Sequence, residues 1–211
     1  MKSLIIYLFR LQAERSAKKV LKREFPPYII EVILKGYWAK YLDLRPNIPL
    51  ESTLGGRIMM DLSAMSIAFF RELMEKGESA EEATRLFYDI AWSAYKPMGK
   101  LCWMLSGIGA TSTARHLQKA IGLFTKFPFS SPSYQWQFIE TEKNVVGFNC
   151  VRCPVAEYFK SYELSELCVA TWCNLDCPLA ETWGAELKRT GSIAGGAKVC
   201  DFRFMAKEVN G

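Results

Sequence analysis

Histidine is nearly missing from this chain: His116 is the only one among 211 residues. A thiol or hydroxyl activated by imidazole is therefore available only if His116, beside Arg115 on a helical stretch, folds back onto a site. Its setting reads instead as a surface or packing position. Long apolar runs are also missing, since nothing approaches the roughly 18 uncharged residues that cross a bilayer. The early run from Leu4 to Phe9 stops at Arg10. The amphipathic stretch Leu11 to Arg23 follows without a small-residue cleavage site, so the run does not read as an export signal. A strong charge of one sign is the third absence. The 27 Lys and Arg exceed the 22 Asp and Glu by five, and both signs are spread along the chain, which argues against a nucleic-acid partner. These absences predict a cytoplasmic protein with no membrane span and no nucleic acid. Its N-terminal segment is still able to rest on a partner or a membrane surface.

Half of the residues are hydrophobic and 13% are aromatic, enough apolar material to offset chain entropy. The length suits one compact domain, 1–211, mainly helical over 1–127 and rich in cysteine and strand over 128–211. In the first part, Ile58, Leu62, Met65, Phe69 and Leu73 recur at spacings of four and three and predict a helix from Gly56 to Lys76, ended by Gly77. Ser79 stands three residues before Glu82, a spacing at which each side chain reaches the other's free N–H, and Ala83, Phe87, Ile90 and Ala94 carry the buried face. Pro97 should end that helix. Tyr28 to Leu42, introduced by Pro26-Pro27, and Thr111 to Phe124 complete the helical layer. Met59, Met60, Met65 and Met74 read as ordinary core.

After Pro128 the texture changes. Tyr134 to Glu140 alternates aromatic and polar residues, and Val145 to Arg152 follows a turn-like Glu142-Lys143-Asn144, so the two predict a hairpin. Leu187 to Ile193 and Val199 to Ala206 predict a second pair around Gly195-Gly196. The expected class is α+β, a helical N-terminal layer packed on a small antiparallel sheet formed by the C-terminal third.

Seven cysteines stand at 102, 150, 153, 168, 173, 177 and 200, six of them after residue 149. Without an export signal they read as free thiols. Cys102 and Cys168, flanked by apolar residues, read as core, whereas Cys153, Cys173 and Cys200 each have polar neighbours. The order Cys153, Cys173-x-x-Asp176, Arg189-Thr190 and Gly196 before Cys200-Asp201-Phe202 resembles the pattern of the L-2-amino-thiazoline-4-carboxylic acid hydrolase family. The resemblance is specific in the final third. It departs just before the last cysteine, where Gly195-Gly196-Ala197-Lys198-Val199 is longer than the usual spacing and carries a lysine.

The resemblance implies a hydrolase acting on a small-molecule substrate. It would open a cyclic amidine at a C–N bond and convert 2-amino-thiazoline-4-carboxylate to N-carbamoyl-L-cysteine. Such a reaction needs a nucleophile, a carboxylate for the amidinium and a cation for the substrate carboxylate. Cys200, Cys173 and Cys153 are the candidate thiols, with Asp176 as catalytic partner; Asp201, Arg189 and Arg203 are candidate substrate-binding residues. Lys198 and Arg189 are candidates to stabilise a thiolate. No cofactor is expected. The rival pattern is Cys150-x-x-Cys153 with Cys173-x-x-x-Cys177, four thiols in two pairs that zinc or an iron-sulfur cluster would use. A third reading is a noncatalytic ligand-binding module lined by Trp136, Trp172 and Trp183. Self-association into a homo-oligomer is compatible with all three.

Overall fold

A computed structural model describes residues 2–207, with side chains from residue 7 onward. Helices α1 (Lys2–Leu21), α2 (Pro27–Leu44), α3 (Leu54–Glu75), α4 (Ala80–Ser106) and α5 (Thr113–Phe124) precede the first strand. α3 packs on α2, while α4 packs on α1 and α5. The expected apolar stripe holds: Ile58, Met65, Phe69 and Leu73 are buried, with Leu62 against them. Thr53 caps α3 by accepting from the Gly56 N–H at 3.0 Å, and Gly77 follows its end at φ +96°, a left-handed conformation that glycine adopts without steric cost. Ser79 caps α4 through the Glu82 N–H. The reciprocal half of that box is not made, because the Glu82 carboxylate turns to Arg85.

Pro97 does not end α4, which runs nine residues further, to Ser106. An internal proline costs about 3 kcal/mol. Here the ring lies on the exposed side, so water can satisfy the carbonyl it frees, and the continuing helix buries Gly99, Cys102 and Ser106 on its other side. Burial outweighs the break.

The sheet comprises β1 (Gln135–Ile139), β2 (Val145–Arg152), β3 (Ala185–Lys188) and β4 (Cys200–Ala206), in the order β1-β2-β4-β3 and antiparallel throughout. Both predicted hairpins form, and they join side by side through β2 and β4. Between β2 and β3 the chain crosses through α6 (Pro154–Ser161), α7 (Ser165–Cys168), a π-helical turn at Val169–Cys173 and α8 (Asp176–Thr182). Strand β3 ends at Lys188, earlier than the expected Ile193. The Asp201 carboxylate accepts from the Thr190 and Gly191 N–H groups at 2.8–3.1 Å and from the Thr190 hydroxyl at 2.7 Å, which takes those donors away from a ladder. On β4, Cys200, Phe202 and Phe204 are buried, and the period of two turns Asp201 and Arg203 to the other face.

Asp61 fastens the helical layer. Its carboxylate takes two bonds from Arg10, at 2.7 and 2.8 Å, and one from the Tyr41 hydroxyl at 2.6 Å, tying α1, α2 and α3 together. The residue is 7% exposed, so removing the carboxylate leaves two polar groups poorly hydrated. Asp61→Ala should lose about 2–3 kcal/mol. Urea denaturation should show a lower midpoint at an unchanged slope.

Candidate active site

A cavity of about 120 Å³ lies between the inner face of β2 and β4, helices α4 and α5, and the segment from Cys168 to Leu179. That is close to the ~150 Å³ void that accommodates benzene, so it suits one small ring. Aromatic side chains make most of the wall, among them Trp136, Trp172 and Trp183. Five thiols also line it, together with Asp176 and Arg189.

Strand register places the first thiols. Cys150 on β2 is the direct partner of Cys200 on β4, and both side chains are buried. Cys153 follows at the end of β2, as α6 begins. Cys150 has both the Cys153 and the Cys200 thiol as neighbours. Its sulfur also lies 3.1 Å from the Arg152 carbonyl, a partner that only a protonated thiol can use. Those contacts and burial raise its pKa, so Cys150 is the neutral member. Cys200 moves the other way. Contact with the Cys150 thiol, the Ile193 N–H at 3.2 Å and the Arg189 charge lower its pKa against the opposing effect of burial. Of the two strand-paired thiols, Cys200 is the more acidic.

The other two cavity thiols owe their placement to the π-helical turn. The backbone bonds of a π turn join residues five apart, and Cys168 and Cys173, five apart, are neighbouring thiols. That contact and burial raise the Cys168 pKa. Cys168 is buried in the core as expected and also lines the cavity, while Cys102 is core as expected and donates to the Ala120 carbonyl. Trp172 on the same turn bonds Ser66 at 3.1 Å. With Met59 and Tyr95 it also lines a second, apolar cavity of about 110 Å³ between α1, α3 and α4.

Asp176 and Arg189 form a pair at 2.8 Å, and Arg189 donates a further bond to the Cys173 carbonyl at 3.0 Å. Burial pushes Asp176 up to about 6 in spite of Arg189. The guanidinium lies 5.4 Å from the centre of the Phe202 ring. Tyr134 adds a group that the sequence reading missed. It is 2% exposed, lines the cavity, and its hydroxyl has no hydrogen-bond partner. An unpaired buried hydroxyl costs about 1–3 kcal/mol, a cost that a bound ligand removes.

The cavity thus gathers Cys153, Cys173, Cys200, Asp176 and Arg189, but not Asp201, Arg203 or Lys198. Asp201 is bound to the Thr190–Gly191 backbone. Burial would raise its pKa, but those bonds hold it down at about 2. Arg203 donates to the Phe148 and Phe202 carbonyls and to Asn149 Oδ1 on the outer face. Neither is placed to grip a substrate in the cavity; strand alternation is the reason. Lys198 is exposed. The four thiols of the metal pattern do not converge, because Cys177 is exposed and outside the cavity. Among the described residues, no three His, Cys, Asp or Glu side chains are grouped to hold a metal ion. His116 stacks on Trp103 at 3.4 Å and bonds the Trp103 carbonyl, as a packing residue does.

Differential reactivity checks this assignment. At neutral pH, iodoacetamide followed by peptide mass mapping should label Cys200 at least about tenfold faster than Cys150, since only the thiolate reacts. Asp201→Ala should slow that labelling by releasing the loop that carries the Ile193 N–H. Equal labelling of Cys150 and Cys200 would contradict the proton assignment.

The model of the L-2-amino-thiazoline-4-carboxylic acid hydrolase family matches residues 57–204. No curated protein matches the chain. The matched span runs from the first turn of α3 into β4 and includes every residue named above as lining the thiol cavity. The chain belongs to the L-2-amino-thiazoline-4-carboxylic acid hydrolase family.

Proposed function

We propose that this protein hydrolyses the ring of 2-amino-thiazoline-4-carboxylate or a close analogue, with Cys200 as nucleophile and Asp176 as the acid–base group. The observation that carries the reading is one small cavity holding a thiol lowered in pKa beside a carboxyl raised to about 6. Two groups shifted towards neutrality from opposite sides are what proton transfer at neutral pH requires.

Bond accounting corrects the C–N cleavage expected from the sequence. N-carbamoyl-cysteine keeps both nitrogens on the former amidine carbon, so the bond that opens is between that carbon and the ring sulfur. The Cys200 thiolate attacks the protonated amidine carbon. The tetrahedral adduct then expels the ring sulfur, which leaves as the thiol of the new cysteine unit after taking a proton. An isothiouronium link to Cys200 remains. Water adds to that carbon, Asp176 accepts its proton, and the adduct releases Cys200. The water oxygen becomes the urea carbonyl, and no oxidant or reductant is needed.

The remaining roles follow from position. Ionised Asp176 holds the amidinium N–H groups. Arg189 is the one cation lining the cavity among the described residues, so the substrate carboxylate falls to its unused donors rather than to Arg203. The partnerless Tyr134 hydroxyl supplies a hydrogen bond to the reacting centre. Cys173 and Cys153, expected as catalytic from the sequence, stand as neighbours of that centre, with Cys153 in contact with Cys150.

Three measurements test this reading. Cys200→Ser should lower ring opening by about a thousandfold or more, read as product mass, with unchanged circular dichroism. Tyr134→Phe should cost about a hundredfold in rate with no loss of thermal stability, because the hydroxyl bonds nothing in the folded chain. As pH falls through about 6, protonation of Asp176 removes the base, so the rate should drop along an acid limb with an inflection there; Asp176→Asn should abolish that inflection. Absence of turnover on every 2-amino-thiazoline ring, with ligand-dependent tryptophan fluorescence retained, would favour the noncatalytic binding module.

A further inference from the structure

The balanced overall charge conceals a segregated one. From Ile90 to Ile139 the chain has no Asp or Glu, yet carries Lys96, Lys100, Arg115, Lys119 and Lys126. This stretch comprises the C-terminal part of α4, the turn after it, α5, the segment that follows and β1, and its cations all lie between α4 and the turn after α5. The same end of the molecule exposes large apolar side chains. Leu101, Met104, Leu105 and Ile108 are 50–75% exposed and recur at helical spacing on one face of α4 and its continuation.

Helix α1 adds to that end. It runs antiparallel to α4, since Glu24 beyond its C-terminus pairs with Arg85 near the start of α4, while Phe9 and Met98 line one cavity. Tyr7 and Leu8, both more than half exposed, therefore lie towards the Leu101 end. The cations sit against the apolar face: Lys119 Nζ bonds the Ile108 carbonyl at 2.8 Å, and Lys100 precedes Leu101. Among the described residues, Lys96, Lys100, Arg115 and Lys119 make no ion pair.

We infer that this end of the molecule is a docking face for the surface of an anionic lipid bilayer. Apolar side chains flanked by unpaired cations suit insertion at the headgroup boundary, where the hydrocarbon takes up the former and acidic headgroups meet the latter. A second copy of the chain is a poor occupant, because a symmetric contact through this face would bring like charges together without carboxylates to separate them. No helix among the described residues is long and apolar enough to cross a membrane, so the contact is peripheral. The cavity thiols take no part in it, and the inference stands apart from the proposed reaction.

Co-sedimentation of the full chain with vesicles tests it. Vesicles of equimolar phosphatidylserine and phosphatidylcholine should carry the protein down at low salt, and vesicles of phosphatidylcholine alone should not. Lys100→Ala and Arg115→Ala should each weaken binding about fivefold. The double variant Leu105→Ser, Ile108→Ser should weaken it at least about tenfold, with a melting temperature that changes little because both side chains are at least half exposed. No sedimentation with the acidic vesicles, or undiminished sedimentation of these variants, overturns the inference. So does a dimer that Ile108→Asp converts to monomer without any lipid binding by the parent chain.

Discussion

The site depends on the pairing of β2 with β4. Val145 to Cys150 faces Met205 to Cys200 in six antiparallel pairs, and this register sets the Cys150 and Cys200 thiols opposite one another. Because side chains alternate with a period of two, a slip by one residue would carry Cys200 to the outer face and bring Asp201 and Arg203 inward. Apolar burial fixes the register. Phe148, Phe202 and Phe204 stack on the inner face with centroids 5.0–6.2 Å apart, and a slipped strand would put two of them in water. The Cys200 thiol is therefore aimed into the cavity by its aromatic neighbours.

Two aspartates on either side of that strand do opposite work. Asp201 is held ionised down to about pH 2 by backbone and hydroxyl donors and fixes the turn after Arg189. Its contribution to stability is present above the ordinary carboxylate range and is lost as pH falls through about 2. Asp176 is raised to about 6, so its ionised form is disfavoured in the fold. Its contribution is present below about pH 4 and is lost as pH rises through about 6. The difference from the ordinary value of 3.8 corresponds to about 3 kcal/mol. Asp201 serves the architecture, whereas holding Asp176 ionised at neutral pH costs the fold stability.

Much of the fold was legible because it rests on periodicity. The stripe from Ile58 to Leu73, the serine cap at Ser79 and the aromatic alternation after Tyr134 are local patterns, and each produced the expected element. Pro97 was misread because a helix-breaking cost was judged without the tertiary burial that outweighs it. Site residues divided on the same principle. Cys153, Cys173, Asp176, Arg189 and Cys200 stood out by residue type and order, but Asp201 and Arg203 are sorted from Cys200 only by knowing which face of β4 is covered. Alternation along Cys200-Asp201-Phe202-Arg203-Phe204 carried that signal. Tyr134 left no mark, since its significance lies in a missing partner. The π-helical turn is likewise a matter of backbone geometry that Val169 to Cys173 do not announce.

The apolar lining of the cavity sets the electrostatics of the charged groups inside it. In water a carboxylate and a thiolate side by side would be screened and their pKa values would lie near ordinary ones. Behind Trp172, Trp183 and Phe202 each charge is felt strongly by its neighbours, so the Cys150 thiol, the Ile193 N–H and Arg189 lower Cys200 while burial raises Asp176. A second cation in the cavity would pull Asp176 back down and remove its proton affinity near neutrality. Leaving Arg203 and Lys198 outside thus lets one guanidinium serve both groups. An arginine turned inward from β4 would add a second positive charge to the cavity and pull the Asp176 carboxyl back towards its ordinary range.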